Sequence, residues 1–545
     1  MSNGSQVSAL RWGLVALVVS SALHFLCFIQ WPGNPVRDVT YSIFAAQNLL
    51  AHGQLKAINV MSDYGGDLAQ FARLHFLVQF PPGHSLLYAA VMALGLTPAA
   101  ATKALGLAGI VSGGLGWIYL ARFLGASRNC LIAVGAAYPW LPFIGAVYLV
   151  YGNDHLALAL TPWICLALMR IEPIGTPSPS SRMFAKARWR GLLIVAILAI
   201  LAVNLKYTLA PVFVAASLYL FVLDGFRFRA RSARWTAALL ALLVSPGLLL
   251  ILVDGAYRPR ILLAPVGGTI SGPGFLENLL NNTVAGTPGW DGVLAGVGDL
   301  LIQFAHVPST RRLTALVSVA VLAIWLAHFR RFPWRGREES FGVLLALLTV
   351  ALWGMLAVSN YFGNHQWDFS DQGRIYKPFA LLWLLCCAVS LDKMRGAELL
   401  RSVAFYTLAL PLAFTASAYV GKSVLDTPYL RMPNSGIAWT ATRDAGHAGF
   451  LSRLASARGR TPGLLIAAEP WTMTELAVPS LYSQLTLQYG GYWSSKPLEV
   501  WAMINPGEKH ALLTGFQGAS VERAMAPPGY PFDLYILNFE GTAPR

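Results

Sequence analysis

Asp38 opens a patterned segment, RDVTYSIFAAQNLLAH, shortly after an apolar run long enough to cross a bilayer. A carboxylate in that place can act as a general base, taking the proton of a hydroxyl. It can equally cap the helix that the pattern predicts, or favour its positive dipole end. Other reactive side chains recur where apolar runs begin or end. Asp154 and His155 sit in YGNDHLALAL, either as a polar turn or as contacts for a polar ligand. Lys206 interrupts two apolar runs in NLKYTLAP; it can snorkel to water or meet an anion. In NHQWDFSDQGRIYKPF, Arg374 and Lys377 are one helical turn apart and can face one phosphate together. The same stretch, with Trp367 and Tyr376, also fits plain interfacial anchoring. His75 and His84 flank Pro81-Pro82, a pair suited to starting a helix. The carboxylates Asp63, Asp67, Asp154, Asp368 and Asp371 show no metal-ligand spacing, and no CxxC or HExxH occurs, so neither a metal nor a cofactor is expected.

The elements that must position these residues are membrane helices. Of the 545 residues, 12% are charged, about half the 25% of a soluble domain, and mean hydropathy is +0.54. The net charge of +15 does not indicate nucleic-acid binding, because the basic residues sit in short loops between apolar runs. Spans are predicted near 11–30, 102–121, 129–150, 155–169, 191–205, 207–223, 235–253, 313–328, 341–359, 375–391 and 402–420. Several are shorter than the ~20 residues needed to cross upright and must borrow length from their flanks. The first reads as a signal-anchor span rather than a cleaved leader, since more spans follow. The five cysteines lie in or beside apolar runs and form no disulfide framework.

Basic loops fix the orientation. Arg122 and Arg128; Arg170 through Arg190; Arg227 through Arg234; Arg330 through Arg337; and Lys393 through Arg401 fall on one side, the cytoplasm. The N-terminus is then cytoplasmic and the loops 31–101, 151–154, 254–312 and 360–374 are extracytoplasmic, as is everything after 420. Arg311 and Arg312 are out of place in this scheme. The run 81–96 would invert every later loop if it crossed, so it is read as a helix lying in or dipping into the outer surface; with it and its neighbours the count is about 11 to 13 spans. Val36, Val39, Ile43, Ala46 and Leu50 form one row of an amphipathic helix, and Asp38, Tyr41, Ala45, Asn48 and His52 a parallel row, suited to a membrane surface. Residues 1–420 form the membrane domain. Residues 421–545 are read as a small extracytoplasmic α/β domain, with β-like runs at 463–470 and 533–539 and a more helical, aromatic-rich stretch between them.

Taken in order, three pieces carry a resemblance. RDVTYSIFAAQNLLAHGQL supplies Asp38, Tyr41, Ala45 and Gly53; FPPGHSLLYA supplies a proline pair opening a helix; GRIYKP supplies an Arg-Tyr-like element before proline. The chain resembles the polytopic GT-C-fold glycosyltransferases that use polyprenyl-phosphate sugars, notably the protein O-mannosyltransferases and the lipid A aminoarabinose transferases. The likeness covers residues 10–210 well and 340–390 loosely. Ile375 separates Arg374 from Tyr376, and Gly83 stands where the family often has leucine.

The resemblance implies an all-α polytopic membrane fold of the GT-C kind, with extracytoplasmic juxtamembrane helices. It implies sugar transfer, with inversion, from a polyprenyl-phosphate carrier to an acceptor hydroxyl of a glycan, glycolipid or protein. The short loops, with no retention signal, point to the cell's inner membrane as its home. Asp38 is then the base, Arg374 with Lys377 or Lys206 holds the donor phosphate, and Asp154, Tyr41, His84 and His75 are acceptor or sugar contacts. Such a reaction passes through an oxocarbenium-like state and leaves charge on the departing phosphate, which cations stabilise. Two other classes stay open: a lipid or glycan transporter that breaks no bond, and a non-catalytic scaffold. Against the transporter, the charges sit at span ends rather than mid-span, and no internal symmetry is visible.

Overall fold

A computed structural model describes residues 3–28, 37–57, 66–71, 75–76, 82–141, 144, 154–171, 182–206, 209, 211–223, 337–362, 373–393, 450–467, 476–482, 487, 490–525 and 532–541. The spans expected at 235–253, 313–328 and 402–420 lie outside the described residues, as do Asp63, Asp368, Asp371, Arg311 and Arg312.

The described chain opens with α1 (Asn3–Phe28), α2 (Arg37–His52), α3 (Leu68–Phe71) and α4 (Pro82–Ala93), then α5 (Pro98–Phe123), α6 (Arg128–Ala137), α7 (Asp154–Ile171), α8 (Arg182–Leu205) and α9 (Pro211–Leu223). Further on come α10 (Arg337–Phe362) and α11 (Gly373–Lys393). By length and composition, Val7–Leu26 and Pro98–Phe123 suffice to cross a membrane, and shorter apolar helices surround them. The short apolar runs do borrow from their flanks: α8 takes in Arg182 through Arg190 and reaches 24 residues, and α10 reaches 26. The run expected at 129–150 instead breaks after α6 into a 3-10 turn, Tyr138–Trp140, where Pro139 cannot donate to a helical ladder.

The surface of these helices is apolar and their buried side partly polar. On α1, Val15, Val18, Val19, Leu23 and Leu26 form one exposed stripe, with Val18 63% exposed. Ser20, Ser21 and His24 turn inward on the same helix. Ser20 Oγ donates to the Ala136 carbonyl at 2.6 Å and accepts from Trp140 Nε1 at 2.9 Å. On α8, Leu193, Ile194, Ile197 and Leu201 are likewise exposed along one face. A stripe of this kind in water would be an aggregation hazard; against lipid it is ordinary. Inside, close approach replaces bulk. A Cβ on Gly113 of α5 would fall 1.9 Å from the Tyr138 hydroxyl, so only glycine lets that ring lie on α5.

The remaining elements form a sheet. Strands β4 (Leu464–Ala467), β5 (Ser480–Tyr482), β7 (Pro497–Ile504), β8 (Ala519–Ala524) and β9 (Asp533–Glu540) run in the order β5-β4-β7-β9-β8. β4 lies parallel to β5 and β7, and β9 antiparallel to β7 and β8. Two helices accompany them, α12 (Phe450–Arg458) and α13 (Lys509–Gly515). The stretch expected to be helical between 470 and 533 thus holds more strand than helix where it is described. Its VWAMI run is buried on both faces, so it lacks the period-two alternation that identifies a half-buried strand.

Alternation does appear in what each residue touches. Leu464, Ile466, Val500, Ala502, Ile504, Tyr535, Leu537 and Phe539 face one core; Leu465, Ala467, Trp501, Met503, Leu534 and Ile536 face another. The second core is closed by Phe450, Leu451 and Ala455 of α12. The first contains Tyr41, Phe44 and Ala45 of α2, with Leu55 and Leu68. Three short pairings belong to the same region: β1 (Lys56–Ala57) with β3 (His75–Phe76), antiparallel, and β2 (Gly66–Asp67) with β6 (Tyr492–Trp493), parallel, beside the bridge from Tyr492 to Phe516. Helix α2 therefore does not lie with a polar row in water. Tyr41, Ala45 and Asn48 of that row are buried, and its other row, Val39, Ile43 and Ala46, packs with Tyr88, Ala89, Ala101 and Leu105 of α4 and α5.

Candidate active site at the outer end of the helices

The helices have two distinct ends. At one, α5 finishes at Phe123, α6 starts at Arg128, α10 starts at Arg337 and α11 finishes at Lys393. Ser127 caps α6, its Oγ accepting from Cys130 N at 3.3 Å. The Ser127 N–H and hydroxyl donate to the two carboxylate oxygens of Asp392, each at 2.6 Å. Lys393 Nζ donates to the Leu124 carbonyl, and Arg337 Nη1 to the Phe123 carbonyl at 3.0 Å. Three basic loops that the sequence assigns to the cytoplasm are thereby joined, and their polar groups answer the helix ends they meet.

The other end holds the candidate residues. Helix α4 starts on Pro82, a good first helical position, and its 12 residues span ~18 Å, too short to cross a bilayer. His84, in its first turn, is 0% exposed. Its ring meets Tyr88 edge-on, centroids 4.9 Å apart. Tyr88 Oη donates to Thr102 Oγ1 at 3.2 Å, fixing that ring on α5. Among the described residues neither His84 nitrogen has a hydrogen-bond partner, and neither does Ser85 Oγ. Burial first, then His155, then Lys206, hold the His84 imidazole well below the ordinary histidine pKa, so the ring is neutral at pH 7. Packing of α4 on α5 and α8, and of α7 on the same two helices, gathers these elements at one end of the bundle.

Glycines allow this approach. A Cβ at Gly83 would lie 2.6 Å from the Asn204 carbonyl oxygen, so α4 and the end of α8 touch backbone to backbone there. Leucine at this position would drive them apart. Gly109 of α5 makes room for the His155 ring, 2.8 Å from where its Cβ would stand. Asn204 is nearly buried and its Nδ2 donates to the Ile200 carbonyl at 3.0 Å. Lys206 follows directly, half-buried, with its N–H donating to the Ala202 carbonyl at 2.8 Å.

The residues singled out in the sequence distribute as follows. Asp38 is the second residue of α2, and α2 packs on α4, so its helix borders the His84 cluster. Asp154 is the first residue of α7 and precedes His155. Arg374 and Lys377 lie in the first turns of α11, about 27 and 22 Å along its axis from Asp392 and so toward the end opposite the basic loops. His75 is on β3, paired with Ala57 in the first loop. Tyr41 is 4% exposed in the core shared with the sheet, so its ring is packing first of all. Sequence reasoning passed over Ser85 and Asn204 as site residues and took His155 only as the companion of Asp154, not as a site residue of its own. The available signal was their position: each is a polar side chain within two residues of a candidate already chosen.

No protein family and no curated protein sequence matches the chain. Solved structures do resemble it over most of its length. ArnT from Cupriavidus metallidurans bound to undecaprenyl phosphate gives a TM-score of 0.48 at 12% identity, covering 96% of this chain and 97% of that one. Arabinofuranosyltransferase AftD from Mycobacteria gives 0.48 at 16% identity, with 96% of this chain matched to 41% of that longer protein. The oligosaccharyltransferase of Archaeoglobus fulgidus in the apo form gives 0.45 at 12% identity, over 87% and 65% of the two chains. At scores this low the likeness assigns no residue a role.

Proposed function

We propose that this chain is a membrane glycosyltransferase that moves a sugar from a polyprenyl-phosphate carrier to an acceptor hydroxyl at the extracytoplasmic face, with inversion. The observation that carries the reading is the buried His84, without a partner among the described residues, on a helix that packs at the end away from the basic loops against α8, where Lys206 follows, and against α2, which bears Asp38. A lipid-linked donor keeps its tail in hydrocarbon and its phosphate at the surface, so its chemistry must occur at helix ends. Asp38 takes the acceptor proton as the acceptor oxygen attacks the anomeric carbon. The glycosyl–phosphate bond breaks through an oxocarbenium-like state, and Lys206 with Arg374 and Lys377 stabilises the charge on the leaving phosphate. Neutral His84 offers one N–H donor and one acceptor in a desolvated place, where hydrogen bonds act strongly. Asp154 and His75 remain candidates for the acceptor or the sugar. Undecaprenyl phosphate, the lipid on ArnT, is of the carrier class proposed here. The N-terminus is cytoplasmic, and the first loop and sheet are extracytoplasmic.

The test is turnover of a labelled polyprenyl-phosphate sugar by purified, folded protein with an acceptor. Asp38→Asn lowers turnover by about a hundredfold or more. Near-normal turnover in that variant ends the assignment of Asp38, and movement of the intact lipid without loss of its sugar favours a transporter.

A further inference from the structure

The sheet is built as a filling between two covers. One cover is α12. The other is drawn from the opposite part of the chain: Tyr41, Phe44 and Ala45 of α2, with Leu55 and Leu68 behind them. The opposing side of α2 is equally committed, because Val39, Ile43 and Ala46 pack against α4 and α5. Helix α2 is thus a wedge gripped by the membrane helices on one side and by the sheet on the other.

A polar clamp ties the same pieces together. Asp67 Oδ1 accepts from the Ser495 N–H at 2.8 Å and from the Ala69 N–H at 3.0 Å, while Asp67 Oδ2 accepts from the Ser495 hydroxyl at 2.5 Å. The Gly66 N–H donates to the Gly491 carbonyl at 3.1 Å, extending the parallel pairing of β2 with β6. Asp67 and Ser495 are 428 residues apart in the chain, so the clamp exists only through the fold. One carboxylate accepting three hydrogen bonds is a strong, directional joint. It anchors the first loop beside Leu68, which shares a core with α2, while Tyr41, one helical turn after Asp38, anchors the start of α2 in that same core.

We propose that the C-terminal sheet positions the general base: Asp67 and Ser495 are positioning residues that hold α2, and with it Asp38, in register with the outer helix ends. This rests on reading Asp38 as the base. A carboxylate displaced by about 1 Å from a reacting hydroxyl loses much of its effect, without any change in how the donor binds.

The experiment compares Asp67→Asn, Ser495→Ala and Ser495→Thr in the full chain, in lipid nanodiscs, by two readouts. In transfer assays the first two lower kcat about tenfold with the donor KM unchanged, and Ser495→Thr, which keeps the hydroxyl, restores it. By hydrogen exchange, amides 39–50 of α2 exchange faster in the first two variants while β7 and β9 stay protected, showing that the sheet itself is intact. Unchanged exchange in α2 overturns the coupling. Faster exchange with unchanged kcat overturns the positioning role. If the unaltered protein transfers no sugar, the parent reading fails, and exchange alone then decides whether the sheet holds α2. Should Asp67→Asn fail to fold, Ser495→Ala, which leaves the backbone bond in place, gives the same comparison.

Discussion

The two ends of the helical bundle are built on opposite terms. At the basic end, Ser127, Asp392, Lys393 and Arg337 spend their polar groups on helix termini and on one another. At the other end, His84 and Ser85 are buried in a first turn with no such partners among the described residues, and two further basic side chains lie close enough to depress the histidine. An unanswered buried polar group costs about 1–3 kcal/mol. A fold able to satisfy one end so fully has no structural reason to leave the other open. On the proposed reading, the difference separates an end made for stability from an end that receives the donor.

Substitutions that break this contrast are ranked by expected effect. Gly83→Leu places a branched side chain where a Cβ already lies 2.6 Å from backbone, so α4 and α8 must separate. It destabilises by about 3 kcal/mol and abolishes transfer, seen as a lowered thermal midpoint in detergent together with lost turnover. Asp392→Ala strips Ser127 of both its acceptors. It costs about 2 kcal/mol but leaves kcat per folded molecule unchanged; a large fall in kcat would show that the basic end is not merely structural. His84→Leu has the opposite signature. Replacing an unsatisfied ring with a hydrophobe is neutral or stabilising by about 1 kcal/mol, while turnover falls. A His84→Leu protein both less stable and fully active would reverse the assignment of the two ends.

The smallest effect is in pH. His84 ionises well below the ordinary histidine value of 6.5, so as pH falls beneath 6.5 the unfolded chain binds a proton that the folded ring refuses. Stability therefore declines from that pH down toward the lowered folded value and is level above it. The decline should be smaller in His84→Leu, as measured by denaturant unfolding between pH 7 and pH 5; an identical slope would show that other groups set the acid sensitivity.

Much of the architecture was legible in the residues. Apolar runs located α1, α5, α7, α8, α10 and α11, and the three-four spacing located α2 to within a residue. What failed was the environment of α2. The row of Tyr41 and Ala45 is expected at a membrane surface because nothing within reach of the sequence window covers it; its cover is a sheet more than 400 residues away. The stretch around Val500 to Ile504 was misread for the complementary reason. A strand buried on both faces has no alternation to display, and α2 is what buries one of those faces. Gly83 looked like a flaw in a motif and is instead the place where two backbones touch. The gathering of His84, His155 and Lys206 was hidden as well, since each sits alone in its own segment and only the packing of α4, α7 and α8 adds them together.

The shared core also sets an order of assembly. Helix α2 leaves the ribosome early, but β9, which pairs with both β7 and β8, ends at Glu540. At roughly 5–20 residues per second, α2 spends tens of seconds with one apolar face uncovered. For that interval Tyr41, Phe44 and Ala45 need a temporary host, and the bilayer surface beside them is the nearest apolar one. Until β9 arrives, α2 lacks the cover of one face, so its final position is set only when the last strand of the sheet is in place.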